Sequence, residues 1–343
     1  MLVRTIAENL FCSRPVLPNY RKFIHKVRRP HAAVIVNFHQ FHEECGDFLA
    51  KGPSVHTNVE DFEHILLLLK RRFRVITLDG LVEHLVSGQP LDEDSVAITI
   101  DDGYANNFTL GLPVLEKLKI PATLFIATGY IGTRLPLPMD KLDFLLRNTS
   151  HATLDWKPLG ANSVLLDSDS ARREVNGELG KILKGMPEPE MWGAFDELAR
   201  ILEVDLERSS ADMLNWSQVR KIADAGIAIG SHGVSHVCMT RMPKEKARQE
   251  LIDSKKCIED KLGRPVRHFA FPNGMAEDFN DELRAEVTRA GYRSTASVER
   301  GLNIPGITDA LNLKRIGLVG SPKQTLLYME RLLRRAVRSS KYG

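Results

Sequence analysis

Cysteine is scarce in this chain: Cys12, Cys45, Cys238 and Cys257 are the four among 343 residues, widely spread and without a CxxC pair. That argues against a disulfide framework or a zinc ribbon and for a reducing compartment. Long apolar runs are lacking too. The longest aliphatic stretch is the short Ile65–Leu69, and the opening MLVRTIAENLFCSRP holds nothing long enough for a signal peptide. The expectation is a cytoplasmic protein. Nor does charge of one sign dominate. The net charge is +3, with acids and bases nearly balanced along the middle, which argues against a nucleic-acid binder that relies on phosphate neutralisation.

What is present is the composition of a soluble globular protein, 43% hydrophobic and 27% charged, long enough for one large domain or two ordinary ones. Both ends are basic. Arg21, Lys22, Lys26, Arg28 and Arg29 mark residues 1–30 as an N-terminal extension, and residues 321–343 read as a basic amphipathic helix with Arg331, Arg334, Arg335 and Arg338 beside Leu326, Leu327, Leu332 and Leu333. Such a helix can lie on an anionic membrane surface; the plainer reading packs its leucines on the core.

Between the ends, residues 31–320 alternate short β-rich runs with helical patterns. Strands are predicted at Ala32–His39, Phe73–Leu78, Ser95–Asp101, Ala122–Ala127, Ile227–Ser231, His268–Phe271, Tyr292–Ser297 and Leu313–Leu318. Several are apolar at nearly every position, as parallel strands covered on both faces should be. Helices are predicted at Val59–Arg72, Asn107–Leu118, Ser217–Ala225, Lys244–Leu262 and Phe279–Ala290. The alternation predicts an α/β fold, a distorted (β/α) barrel of seven or eight parallel strands, with a doubly wound open sheet as the alternative. From about 130 to 214 no barrel strand is evident. Helical stretches near Asp140–Arg147, Ser170–Leu183 and Glu190–Leu202 make this an insertion after the fourth strand, folded against the barrel mouth.

The chemistry gathers where strands end. Ends at His39, at Asp101-Asp102-Gly103, at His232 and at Pro272-Asn273-Gly274 share one rim of a parallel barrel, the rim where barrel enzymes carry their sites. Adjacent carboxylates at the end of an apolar strand are costly without a cation or proton, although a helix N-cap alone would account for an isolated DDG. His232 and His236 stand four apart and face one ion if the segment is helical. One carboxylate with two histidines is a recognised catalytic metal set.

ITIDDGY at 98–104, SHGVSH at 231–236 and FAFPNG at 269–274, in that order, resemble the polysaccharide deacetylase (NodB-homology) family of carbohydrate esterases. Leu214-Asn215-Trp216 and the run up to His232 are similar as well, and the likeness spans about 32 to 318. It implies hydrolysis of N-acetyl groups on a sugar or polysaccharide intermediate. It also implies a divalent metal, usually zinc (Co2+, Ni2+ or Mn2+ as alternatives), held by Asp102, His232 and His236. Asp101 is then the general base, and the Asn273 N–H an oxyanion donor. Tyr104, Pro272, Gly274 and Trp216 are the implied substrate contacts. Two features depart from the pattern. Ala270 stands where many members have an arginine, and the last strand, LKRIGL, lacks the usual acid histidine. A circularly permuted, exopolysaccharide-type subgroup takes that histidine from an N-terminal strand, which makes His39 the candidate acid.

The competing readings are hydrolysis of another amide, linear or cyclic, on the same fold, and a catalytically silent carbohydrate-binding relative. Phosphoryl transfer is disfavoured because no Gly-rich loop follows the strand. His42 is a weaker site candidate. His268, at the start of a strand, is expected to be inert, Cys238 to lie in the core, and Trp156 and Trp192 to be core before they are sugar platforms.

Overall fold

The computed structural model describes residues 31–44, 55–160 and 163–339, with side chains to Arg334. The basic cluster before residue 30, Cys12 and Cys45 lie outside the described residues. In chain order the strands are β1 (Ala33–Phe38), β2 (Gln40–His42), β3 (His56–Asn58), β4 (Arg74–Val75), β5 (Ser95–Ile100), β6 (Thr123–Ile126), β7 (Thr153–Leu154), β8 (Val164–Leu165), β9 (Ala228–Ser231), β10 (His268–Ala270), β11 (Ser294–Ala296) and β12 (Arg315–Gly317). The helices are α1 (Val59–Arg72), α2 (Leu78–Ser87), α3 (Leu112–Leu118), α4 (Pro138–Asn148), α5 (Asp169–Gly185), α6 (Glu188–Ile201), α7 (Trp216–Asp224), α8 (Lys244–Leu262), α9 (Asp281–Arg289) and α10 (Pro322–Ser339).

The main sheet runs β11-β10-β9-β6-β5-β1-β12 with β4 beside β5, and every pairing in it is parallel. It nearly closes on itself. Ala296 bridges Leu313 in parallel, with Leu313 N–H donating to Thr295 (2.8 Å) and Ser297 N–H to Leu313 (2.9 Å). This is the expected distorted barrel.

All six residues of β1 and all six of β5 are buried, because each face meets apolar matter. Val34, Val36, Phe38, Val96, Ile98 and Ile100 pack outward with the helices. Alternate residues point inward, where Ile35, Ala97, Phe125, Ala270, Ala296 and Leu313 form an apolar layer. One step further along β1 and β5 the inward positions turn polar, at Asn37, Thr99 and Asp101, and the site stands on that change.

Phe73–Leu78 is a strand only over Arg74–Val75. Thr77 then caps α2 through a hydrogen bond from Gly80 N–H (3.0 Å), and Leu78, Leu81, Val82 and Leu85 join the interior layer. The insertion holds α4, α5 and α6 and a small antiparallel pair, β7 with β8. The C-terminal helix packs on α1, burying Leu326, Met329 and Leu333 and leaving Arg331 and Arg334 in water. Among the described residues no helix is long and apolar enough to cross a membrane.

Candidate active site

Three ligand-type side chains converge at the predicted rim. His236 Nε2 lies 3.0 Å and His232 Nε2 3.4 Å from Asp102 Oδ1, and the three donor atoms fall within 4.8 Å of one another. His232 donates its Nδ1–H to the Ala270 carbonyl (2.7 Å), which turns Nε2 toward the carboxylate and leaves it as the ligand atom for a metal. Asp102 Oδ1 is buried without a hydrogen-bond partner. A carboxylate oxygen facing an imidazole lone pair is repulsive unless a cation lies between them, so the donor set fits a divalent metal. Burial works to raise the Asp102 carboxyl, but positive charge at this point, first that of the His236 imidazole, outweighs it and holds the carboxyl well below the usual range; a cation among the three donors supplies the same charge.

The expected helical HxxxH is not a helix. Residues 232–236 form a tight turn with Gly233 at φ 79 and His236 at φ 55. The turn is clamped by Glu250 of α8, whose buried carboxylate accepts Val234 N–H (2.6 Å) and Ser235 N–H (3.0 Å). Thr128 and Gly129 N–H groups hold its carbonyls on the other side, each at 3.0 Å. Asp102 (φ 80) and Asn273 (φ 63) share this left-handed geometry, uncommon for residues with a side chain and concentrated here around one spot.

Asp101 lies beside this set and is completely enclosed. Asn37 donates to its Oδ2 (3.0 Å) and Arg315 to its Oδ1 (2.8 Å); Arg315 also donates to Asn37 (3.0 Å) and to the Ser297 carbonyl (2.8 Å). Burial raises the Asp101 carboxyl, yet the Arg315 guanidinium wins and keeps it below the ordinary value. Ala270 has no side chain that could reach Asp101, and the guanidinium at this carboxylate is that of Arg315. It comes from β12, and its signal was a charge inside an apolar strand, LKRIGL. Asn37 in AVIVNF carried the same kind of signal.

His39 Nε2 is 3.9 Å from Asp101 Oδ2, half-buried in the same cleft. His42 shares a hydrogen bond with His56 (3.1 Å) at the cleft mouth, where burial and then His42 and His39 push His56 down to about 4. Asn273 lines the cleft, and among the described residues no acceptor takes its N–H. Pro272 and Gly274 shape that turn without lining the cleft. Gly274 (φ +70) has no room for a side chain, since a Cβ would meet Phe271 O at 3.1 Å and Val298 N at 3.2 Å.

Trp216, expected to touch sugar, sits instead at the start of α7, packed on the core, with Lys261 5.9 Å from its ring; it is not among the cleft residues. Trp156 is buried with its indole N–H on Glu197 (2.9 Å), and His268 is held between Ser294 (2.8 Å) and Asp79 (3.2 Å). Cys238 is buried against Asp278.

Tyr104 lines the cleft and donates to Asp140 (3.0 Å). Burial raises Asp140 from its ordinary 3.8 to about 6. The folded protein therefore takes up a proton between those values, and stability falls as pH rises through that window. Asp140→Asn is expected to flatten this part of the stability–pH curve, by up to about 3 kcal/mol, when urea midpoints are compared at pH 4 and pH 7.

The cleft has a volume of about 1520 Å³, running from the barrel mouth under α4 and α5. A recess of about 10 Å³ opens beside His236 and Asn273, walled by Met139, Met186, Met191 and Val237.

The sequence profile of polysaccharide deacetylases matches residues 88–295, more than half of the chain. The chain belongs to the polysaccharide deacetylase family. As a family member it is a hydrolase that removes acetyl groups by cleaving carbon–nitrogen bonds other than peptide bonds. YxkH of Bacillus subtilis (strain 168), which carries the same family name, is 19% identical over 277 residues, covering 80% of this chain and 68% of its own. Among solved structures, the Streptococcus pyogenes deacetylase PplD in complex with acetate superposes with a TM-score of 0.58 at 16% identity, over 87% of this deacetylase and 98% of PplD. IcaB from Ammonifex degensii gives 0.56 at 16% identity, over 89% and 97%. Identities this low bear on the fold alone.

Proposed function

We propose that this deacetylase removes N-acetyl groups from an acetylated sugar or polysaccharide intermediate with a divalent metal held by Asp102, His232 and His236. The convergence of those three donor atoms beside the enclosed Asp101 carries the reading. A bound metal, zinc by family habit, lowers the pKa of a water and polarises the acetyl carbonyl.

The chain's own residues supply the rest. Asp101, ionised and fixed by Arg315 and Asn37, takes the proton of the attacking water. The Asn273 N–H donates to the oxyanion, a contact typically worth about 3 kcal/mol. The recess beside it accepts the acetyl methyl. His39, opening onto the same spot, protonates the nitrogen as the C–N bond breaks, leaving acetate and a free amine. Supply of the acid from β1, which pairs with β12, suits the circularly permuted subgroup. Free Cys238 and Cys257 suit a reducing compartment, and we place the protein in the cytoplasm, a location that cell fractionation tests.

Acetate and amine release from N-acetylglucosamine oligomers is expected, lost with a chelator and restored by zinc. Release only from cyclic or nucleobase-type amides would move the reaction to another amide. A metal-loaded protein that frees acetate from no acetylated glycan would be a binding relative.

A further inference from the structure

The cleft wall that faces the barrel mouth is α5, and Arg173, Asn176, Gly177, Gly180, Lys181 and Lys184 line the cleft from it. Steps of three and four place them on one stripe of the helix. Gly177 leaves open space beside the helix backbone, room for a sugar ring.

The carboxylates that share the cleft are already engaged. Asp143 pairs with Arg147 (3.7 Å), Asp212 with Arg134 (3.4 Å), and Asp140 accepts from Tyr104. Arg173 is partly committed to Asp169 (3.5 Å). Among the described residues no carboxylate forms an ion pair with Lys181 or Lys184. Burial pulls the Lys184 ammonium below its ordinary value, and the nearby carboxylates that oppose this are Asp278, occupied by Met275 N–H (2.9 Å), and Asp102, placed on the metal, so an added anion is what restores its charge. On the same wall, Arg173 Nε and Asn176 Oδ1 are buried without partners. Lys184 also borders the recess of His236 and Asn273, so one ammonium stands next to the reacting centre and the others lie further out.

Size points the same way. A cleft of about 1520 Å³ exceeds the roughly 300–1,000 Å³ of ordinary small-ligand pockets. Arg173 to Lys184 spans about 16 Å along the helix axis.

We propose that the inner face of α5 binds a phosphate attached to the acetylated sugar, so that a glycosyl phosphate or phosphodiester is preferred over a neutral glycan. Two lysines acting as point charges, one exposed and one enclosed, suit a phosphate, whereas a lone carboxylate is better met by a free arginine fork. The substrate assignment rests on the deacetylase reading of the site below it.

The test is equilibrium binding to the zinc-loaded full chain of N-acetylglucosamine, its 1-phosphate, its uridine diphosphate conjugate and a short prenyl diphosphate conjugate. The phosphorylated sugars should bind at least about tenfold tighter than the neutral one, with the margin shrinking between about 50 and about 500 mM salt. The double variant Lys181→Gln/Lys184→Gln should erase that margin. Lys181→Glu, on an exposed side chain, should cut it severalfold even if the double variant fails to fold. Preference for the uridine or the prenyl conjugate identifies a nucleotide or a lipid as the carrier. Equal affinity for neutral and phosphorylated sugar overturns the proposal, as does a margin that survives in the variants, which would place the phosphate on the metal alone. Acetate release measured in parallel separates the two claims. Neutral oligomers deacetylated without any phosphate margin leave the deacetylase standing and sink the phosphate site. A lysine-dependent margin without acetate does the reverse.

Discussion

Asp101→Asn and Arg315→Met are each expected to cost about 3–5 kcal/mol of stability, while the double variant recovers most of that loss and stays inactive. Both side chains are about 1% exposed and lie 2.8 Å apart, so removing either leaves a buried charge without its counter-charge. Removing both leaves no buried charge: the amide at position 101 still accepts from Asn37, whose own Oδ1 keeps the Thr99 hydroxyl. Turnover should follow a different pattern. Asp101→Asn loses about 10³-fold or more, because an amide takes no proton from water, while metal binding persists. Arg315→Met loses less, about 10–100-fold, because the base survives with only Asn37 to orient it. Urea denaturation of the four proteins, with acetate release measured on each, tests both patterns. Additive stability losses would mean that the pair is not the coupled unit that its geometry describes.

His232→Ala is expected to abolish metal binding, with affinity falling by 10³-fold or more, since one of three ligands goes and with it the bond that aims the ring. Zinc at about a thousand times its Kd should stabilise the wild type by about 4 kcal/mol and leave the variant unmoved. In chelator the two should unfold within about 2 kcal/mol of each other. The variant then loses only a side chain whose lone pair faces Asp102 unfavourably in the absence of metal. Thermal unfolding with and without zinc reads the difference, and an equal zinc response in both proteins would remove His232 from the ligand set.

Much of this molecule was legible in its sequence because parallel strands buried on both faces leave a strong trace. AVIVNF and SVAITI could hardly be anything else, and residues at strand ends had to meet on one rim. α1 and α8 match their predicted spans, each a long amphipathic run with clear ends. Features that depend on tertiary contact were harder to see. α2 is short, and its start at Leu78 reads as the tail of a strand until the Thr77 cap is known. The HGVSH segment has helical spacing, but Gly233 at positive φ and the grip of Glu250, fourteen residues past His236, make it a turn. Arg315 is harder to read from LKRIGL, because its partner acid lies more than two hundred residues away, although an arginine in a covered strand is itself a demand for a buried acid. Trp216 differs from its neighbours: Asn215 and Gln218 line the cleft, while the indole between them packs on the core.

The central claim is that one cation sits among Asp102, His232 and His236. Crystals grown with zinc and measured on both sides of the zinc absorption edge test it most directly. One anomalous peak is predicted, about 2.0–2.2 Å from Asp102 Oδ1 and from each histidine Nε2. A peak elsewhere, or none at that point in fully loaded protein, would contradict the account.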